Sequence, residues 1–184
     1  MPSIQRIYIT GFMGAGKTTV TPRVAKRLRY SSIDLDVEIS ADLGLSIPGI
    51  FDVMGEKVFR QAESEMLFET SKKSRIVVSL GGGTLTDPRN LELCRATGFL
   101  VYLEGTASFL ADRLAGSRQM RPLLMDADGS ILEGTRLQEV VQELLRVREP
   151  IYKQAHAHIS VDDRSADEIS ARICRAARKW ARSS

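Results

Sequence analysis

The residues best suited to chemistry lie near the start of the chain, in the stretch Gly11-Phe-Met-Gly-Ala-Gly-Lys17-Thr18. This stretch matches the pattern GxxxxGK followed by Ser or Thr, and it follows an apolar run typical of a β-strand. In that pattern, backbone amides and a helix N-terminus bind phosphate, the lysine reaches the outer phosphates of a nucleoside triphosphate, and the hydroxyl binds Mg²⁺. The alternative is a glycine-rich turn with a solvated lysine. The predicted phosphate-binding residues are Gly14, Ala15, Gly16, Lys17, Thr18 and Thr19.

Two carboxylates, Asp34 and Asp36, stand two positions apart at the end of a second apolar run. On a strand, that spacing would point both side chains to the same side. Two carboxylates that face one cleft suit phosphoryl transfer, in which one supports Mg²⁺ through water and the other accepts the proton of an attacking hydroxyl. The alternative is a helix cap and a surface charge, because aspartate is common at turns between strands and helices.

Three successive glycines, Gly81, Gly82 and Gly83, follow a third apolar run. Because glycine has no side chain, this stretch allows another molecule to approach the main chain closely and to hydrogen-bond with it. A tight turn is the alternative, but three glycines are more than a turn needs. The sequence therefore predicts a polar substrate over the end of this strand.

Two arginines could bind a carboxylate on that substrate. Arg60 has Glu63 one helical turn later, so the glutamate can brace the guanidinium group. Arg148 is the second candidate, and two converging guanidinium groups suit a planar carboxylate better than a lysine does. Taken alone, each arginine is more typical of a surface position or a structural ion pair.

A loop of unusual length separates Gly116 from Gly134. Loops of this length are either functional or without fixed structure, and this one carries Arg118 and Arg121. Closure over the site would bring these arginines in and exclude water, which competes with an acceptor hydroxyl. The alternative is a loop that carries no catalytic residue.

These residues need strands and helices that bring them to one edge. The apolar runs predict short strands, and the segments between them predict helices. Strands that are apolar throughout are buried on both faces, which favours a parallel sheet between two layers of helices, with ligands at the carboxyl ends of the strands. The predicted strands are 6–10, 31–35, 75–80, 99–103 and 157–161, and the predicted helices include 17–28, 56–70, 107–115 and 136–153.

Length and composition limit the class of protein. A chain of 184 residues, 43% of them hydrophobic, suits one domain with a substantial core. The formal charge of +3 is concentrated on a C-terminal helix whose basic residues lie opposite an apolar stripe, so we expect a solvated face and no nucleic-acid or membrane partner. Cys94 and Cys174 form no metal-binding pattern, and no segment is apolar over the length of a membrane span, which favours a cytoplasmic protein with reduced thiols.

Taken together, the motifs resemble the shikimate kinase family, which belongs to the P-loop kinases related to nucleoside monophosphate kinases. Its landmarks occur in the same order along nearly the whole chain. They are the phosphate-binding loop, Asp34-x-Asp36, Ile47-Pro-Gly-Ile-Phe51, Gly55-Glu-x-x-Phe-Arg60-x-x-Glu63, the three glycines, Arg121-Pro-Leu-Leu124 and Arg148-x-Pro-x-Tyr152. The resemblance implies a three-layer α/β sandwich with a five-stranded parallel sheet, of the P-loop NTPase type, and a mobile lid.

The resemblance also implies a reaction, in which the γ-phosphoryl group of ATP passes to a hydroxyl of shikimate with Mg²⁺ as cofactor. Lys17, Asp36 and Arg121 would be catalytic, with Arg121 reaching the phosphates from the lid, while Thr18 and Asp34 would support the metal. The implied substrate-binding residues are Asp36, Arg60, Gly81, Gly82, Gly83 and Arg148. The implied organisation is one domain over residues 1–184, with substrate-binding helices at about 35–70, a lid at about 116–134, and a monomeric state.

The sequence departs from the family pattern in three places, and one of them is Asp162-Asp163-Arg164-Ser165, which does not match the family's adenine-side loop. Gly49 stands where the family has glutamate, which should loosen the substrate-binding helices, and Arg113 stands alone where the family often has two arginines against adenine. Two other functions stay open. One is a P-loop kinase for another small polyol acid such as quinate or gluconate, and the other is a nucleotide-binding regulatory module without catalysis, against which the intact Asp36, Arg60 and Gly82 argue.

Overall fold

Five parallel strands lie in the order β2-β3-β1-β4-β5 in the computed structural model, which describes residues 4–116, 122–125, 130 and 132–183. The first strand of the chain therefore lies in the middle of the sheet, paired with β3 on one side and β4 on the other. Helices connect successive strands, as parallel pairing requires. The strands are β1 (Arg6–Gly11), β2 (Ser31–Asp34), β3 (Ile76–Ser79), β4 (Phe99–Glu104) and β5 (Ala157–Ser160).

Helices cover both faces of this sheet. They are α1 (Lys17–Leu28), α2 (Leu35–Leu43), α3 (Ile47–Met54), α4 (Glu56–Ser71), α5 (Pro88–Thr97), α6 (Ala107–Ala115), α7 (Gly134–Tyr152) and α8 (Ala166–Ser183), with 3-10 turns at Thr84–Thr86 and Pro122–Leu124. One apolar cluster packs Val24 of α1 and Ile173 of α8 against the sheet, and a second packs Leu67 of α4 against the other face. The sheet therefore forms the middle of three layers, and its carboxyl edge is where the connecting loops meet.

The predicted architecture is confirmed. Nearly every side chain of β1, β3 and β4 is buried, as expected for strands with helices on both faces. The predicted helices 17–28 and 107–115 have the observed bounds, and the predicted helices 56–70 and 136–153 differ from α4 and α7 by one or two residues at their ends. Helix α5 was not predicted.

The strand predicted at 31–35 is one residue too long, and Asp34 and Asp36 do not share a strand. Strand β2 ends at Asp34, whose backbone is extended with φ −109° and ψ 116°, and α2 begins at Leu35. The helix places Leu35 and Ile39 one turn apart on a buried face and leaves Val37 60% exposed, whereas a continued strand would point all three side chains to the same side. The two carboxylates therefore reach the carboxyl edge from a strand end and from the first turn of a helix.

The two cysteines are both free and buried, and burial raises the pKa of each thiol. Cys94 faces the core beneath α5, while Cys174 lies on the inner face of α8. None of the helices in the described part of the chain is long and apolar enough to cross a membrane.

Candidate active site

The loop between β1 and α1 curves around a point at the carboxyl edge of the sheet. Gly14 and Gly16 have left-handed backbones, with φ of 83° and 91°, and Gly16 precedes α1 without a capping side chain. The first turn of α1 therefore leaves amide donors for an anion such as phosphate. The ammonium of Lys17 folds back over the loop and donates to the carbonyls of Gly11 at 2.9 Å and Phe12 at 3.1 Å. The amides at the start of α1 and the Lys17 ammonium therefore lie around the same point, where a phosphate group can bind.

Thr18 and Asp34 meet beside this loop, where Oγ1 of Thr18 donates to Oδ2 of Asp34 at 2.7 Å. Hydroxyl and carboxylate oxygens are the donors that Mg²⁺ prefers, and Mg²⁺ usually combines one or two protein ligands with waters and substrate phosphates. Within the described ranges, no group of three or more histidine, cysteine or carboxylate side chains is placed to hold a metal. The pair therefore fits a Mg²⁺ that arrives with a nucleotide.

The carboxylate of Asp36 lies close to this pair in a partly buried position. Burial, helped by the charge of Asp34, raises the pKa of Asp36 to about 6, although the Lys17 ammonium acts in the opposite direction. A carboxylate with a pKa this near neutrality is ionised at physiological pH and is a stronger base than an exposed aspartate. Asp36 can therefore accept a proton from a hydroxyl placed beside it.

The glycines after β3 lie directly against charged side chains. A Cβ atom on Gly81 would sit 2.9 Å from Oδ1 of Asp36, and a Cβ atom on Gly83 would sit 2.7 Å from both Nη atoms of Arg60. Real Cβ atoms do not come this close to other heavy atoms, so any larger residue at either position would displace a charged group. Glycine at these positions lets the main chain and these charged side chains share the same small space.

The middle glycine connects this stretch to the phosphate-binding loop. A Cβ atom on Gly82 would lie 3.6 Å from Nη1 of Arg148 and 4.0 Å from the amide nitrogen of Met13. The guanidinium of Arg148 also lies over the ring of Phe12, with Cζ 5.9 Å from the ring centroid. The structure therefore brings Arg148, the three glycines and the phosphate-binding loop to one place, as the sequence predicted.

The guanidinium of Arg60 is held by two carboxylates. Its Nη1 donates to Oε2 of Glu63 at 2.8 Å, while Nε and Nη2 donate to Oε1 of Glu56 at 3.3 Å. Burial acts to lower the pKa of Arg60, but Glu63 and Glu56 outweigh it and raise the pKa. The brace by Glu63 was predicted from its spacing and is confirmed, whereas the contribution of Glu56 was not predicted.

A buried hydrogen-bond network behind Glu63 was also missed. Oγ1 of Thr84 donates to Oε1 of Glu63 at 2.6 Å. Nδ2 of Asn90 donates to the carbonyl of Thr84 and to Oγ of Ser64, both at 3.0 Å. These bonds tie α4 to the turn after the glycines and to α5. A polar residue directly after the glycines was the sequence signal that could have suggested them.

Tyr152 belongs to the motif Arg148-x-Pro-x-Tyr152, but the sequence predicted no role for it. It lies four residues after Arg148 on α7, its side chain is buried, and its hydroxyl donates to the carbonyl of Gly82 at 2.5 Å. The spacing of four residues on a helix was the signal that could have paired it with Arg148.

Three further arginines, Arg113, Arg118 and Arg121, were expected near the nucleotide. Arg121 and Arg118 lie outside the described residues, as does most of the predicted lid. The guanidinium of Arg113 borders the phosphate-binding loop, with Nη2 3.6 Å from the Cβ position of Gly16, and it lies 5.5 Å over the ring of Phe109.

Comparison with known proteins agrees with this geometry. The family model described as shikimate kinase matches residues 13–178. A shikimate kinase from Salinibacter ruber is 39% identical over 172 residues, which cover 94% of this chain and 84% of that protein. A shikimate kinase from Chlorobaculum tepidum is 40% identical over 177 residues, which cover 94% of this chain and 92% of that protein.

Solved structures show the same likeness. Shikimate kinase from Acinetobacter baumannii in complex with shikimate has a TM-score of 0.84 and 31% identity, with 95% of this chain and 93% of that chain covered. A gluconokinase from Sinorhizobium meliloti has a TM-score of 0.61 at 16% identity, covering 97% and 94%, so its likeness concerns the fold alone. The chain therefore belongs to the shikimate kinase family of ATP-dependent kinases, which use Mg²⁺.

Proposed function

We propose that this chain transfers the γ-phosphoryl group of ATP to a hydroxyl of shikimate. The observation that carries the proposal is that the guanidinium groups of Arg60 and Arg148 both lie against the three glycines, next to the phosphate-binding loop. A small ring that bears a carboxylate fits between two such groups. A hydroxyl of the same ring then lies beside Asp36 and faces the phosphates. Membership of the family supports this assignment.

The side chains of the chain act mainly by binding and orientation. Lys17 and the phosphate-binding loop would hold the triphosphate, although the amides of Ala15 and Thr19 donate to the carbonyls of Phe12 and Gly16. Thr18 and Asp34 would hold Mg²⁺, which would neutralise charge on the phosphate oxygens. Asp36 accepts the proton of the attacking hydroxyl on its carboxylate. Because phosphoryl transfer needs little covalent help from a protein, position and charge account for most of the rate.

Other parts of the chain complete the proposal. The main chain of Gly81, Gly82 and Gly83 contacts the ring hydroxyls, and helices within residues 35–70 enclose the acceptor. We propose that residues 116–134, most of which lie outside the described residues, act as a lid from which Arg121 reaches the phosphates. We propose that residues 1–184 act as one domain, in a monomeric cytoplasmic enzyme whose partners are small molecules and neither nucleic acid nor membrane.

A coupled assay of ADP formation with shikimate, quinate and gluconate tests the proposal. We expect kcat/KM for shikimate to exceed that for either rival acceptor by at least about 100-fold, since a site built to hydrogen-bond one acceptor rejects others strongly. Asp36→Asn should lower kcat by at least about 100-fold, because the proton acceptor is lost. Asp42→Asn, an exposed aspartate on the same helix, is the matched control and should keep full activity.

Each rival function predicts a different result. Turnover with quinate or gluconate, together with none with shikimate, would assign the chain to another polyol acid. A protein that binds ATP by calorimetric titration but transfers phosphate to none of the three acceptors would be a regulatory module.

A further inference from the structure

We propose that Tyr152 is a positioning residue for the acceptor, because its hydroxyl holds the Gly82 carbonyl and the Arg148 guanidinium in the arrangement that receives the acceptor carboxylate. This inference rests on the proposed function. Tyr152 would affect the binding of shikimate through Gly82 and Arg148, and it would take no part in the chemical step.

Tyr152 is the last residue of α7 and lies on the same face of that helix as Arg148. Its side chain is 1% exposed, and its ring packs against the ring of Tyr102 with centroids 5.2 Å apart. From this fixed ring the hydroxyl donates to the Gly82 carbonyl at 2.5 Å, across 70 positions of sequence. The end of α7 is therefore attached to the middle of the glycine stretch.

The same hydroxyl meets the guanidinium of Arg148. The Cβ position of Gly82 lies 3.6 Å from Nη1 of Arg148 and 3.9 Å from the hydroxyl of Tyr152, so the three groups adjoin one another. Burial raises the pKa of Tyr152 to about 12, and the positive charge of the Arg148 guanidinium acts in the opposite direction. The hydroxyl thus donates to the Gly82 carbonyl and lies within the influence of the Arg148 charge.

The bond to Gly82 completes a set of three. The carbonyls of the first and third glycines accept from the backbone and side chain of Thr84 and Thr86, respectively, and Tyr152 supplies the donor for the middle carbonyl. Because each peptide is planar and trans, a carbonyl held on one side directs the next N–H to the other side. No described residue accepts from the amides of Gly82 and Gly83. Tyr152 therefore helps to aim amide donors that are available to a ligand.

Tyr152→Phe tests the inference because it removes the hydroxyl and keeps the ring. Tyr102→Phe is the matched control, since Tyr102 is the adjoining buried tyrosine and its hydroxyl has no hydrogen-bond partner among the described residues. We expect Tyr152→Phe to raise the shikimate KM, and the Kd from calorimetric titration with shikimate, by about five- to tenfold. We expect kcat and the KM for MgATP to change by less than about twofold, and Tyr102→Phe to match the wild type.

A double-mutant cycle distinguishes positioning from general support of the fold. If the hydroxyl acts partly through Arg148, then Tyr152→Phe weakens shikimate binding by a smaller factor in an Arg148→Ala background than in the wild type. Equal factors in the two backgrounds would contradict the part of the inference that concerns Arg148.

Several results would overturn the inference as a whole. They are a wild-type shikimate Kd in Tyr152→Phe, an equal loss of affinity for shikimate and ATP, the same loss in Tyr102→Phe, or a Tyr152→Phe protein that is unfolded at the assay temperature by circular dichroism. A wild-type protein that binds no shikimate overturns the proposed function, and this inference with it. Shikimate binding by the wild type together with an unaffected Tyr152→Phe overturns the inference alone.

Discussion

The hydroxyl of Thr18 donates a hydrogen bond of 2.7 Å to the carboxylate of Asp34 and so joins the first turn of α1 to the end of β2. Both groups are oxygen donors suited to Mg²⁺, and only the carboxylate carries charge. We expect Asp34→Asn to raise the Mg²⁺ concentration that gives half-maximal activity by about tenfold. Titration of Mg²⁺ at fixed ATP measures this, with Asp42→Asn as the control. An unchanged Mg²⁺ dependence would remove Asp34 from the metal site.

Asp36 should lower the stability of the folded protein at neutral pH. Its folded-state pKa of about 6 lies above the ordinary value of 3.8. Its contribution to stability is therefore complete below the ordinary value and is lost as the pH rises through about 6, because the buried group must then ionise. We expect Asp36→Asn to increase the free energy of unfolding by about 2 kcal/mol at pH 8.

The pH dependence of this gain is the test. Urea denaturation of the wild type and Asp36→Asn should show a difference at pH 8 that shrinks as the pH is lowered towards 5. A gain of the same size at both pH values would have a cause other than the ionisation of Asp36. Asp42→Asn, in an exposed position, should change stability little at either pH.

Arg148 and Arg146 allow a matched comparison on one helix. Arg148 adjoins Gly82, whereas Arg146 is 72% exposed and pairs with Glu143 at the surface. We expect Arg148→Ala to raise the shikimate KM by at least about tenfold while the KM for ATP stays within about twofold, because the lost hydrogen bonds are to a charged group of the acceptor. Arg146→Ala should leave both constants unchanged. Steady-state kinetics with each substrate varied in turn measures this, and an equal loss for both substrates would show that Arg148 does not clamp the acceptor.

Gly49 is a position where the chain can be made more stable. It lies in the first turn of α3, where its amide donates to Oγ of the capping residue Ser46 at 3.2 Å. Glutamate at this position would reduce backbone freedom in the unfolded chain and would be placed to return a hydrogen bond to the Ser46 amide. We expect Gly49→Glu to raise the free energy of unfolding by about 0.5 to 1 kcal/mol.

Gly44 supplies the contrast for that experiment. It ends α2 with φ 67°, and a Cβ atom there would meet nothing within 4 Å, so a substitution tests backbone conformation alone. Gly44→Ala should lower the free energy of unfolding by about 1 kcal/mol. Denaturation curves measure both variants. A destabilised Gly49→Glu would mean that the contact of its Cβ with Ser46, 3.2 Å from Oγ, cannot relax.

Local sequence was sufficient for the layers of the fold and for the phosphate-binding loop. The bonds from Lys17 to the loop span five and six residues, so their partners lie within one motif. The predicted strand 31–35 runs one residue too far for a tertiary reason, because Leu35 and Ile39 are buried against the second apolar cluster on a helix that begins at Leu35.

The parts of the site that the sequence could not predict depend on distant contacts. Thr84 meets Glu63 across 21 positions, and Tyr152 meets Gly82 across 70. Such pairs are determined by the order of strands in the sheet and by how α7 packs, and neither is visible in the spacing of nearby residues. Apart from Glu56, the charged residues described at the site were therefore predictable, whereas the neutral residues Thr84, Asn90 and Tyr152 that position them were not.

The three glycine carbonyls that are held by Thr84, Tyr152 and Thr86 have a consequence for stereochemistry. Because these carbonyls are held by hydrogen bonds, the peptide groups cannot rotate to bond a ring hydroxyl that points in the opposite direction. An epimer of the acceptor would keep its carboxylate and its size, but it would present a C–H group to the protein amide where the true acceptor presents a hydroxyl. The three glycines can therefore discriminate between two epimers of the acceptor, although they have no side chains.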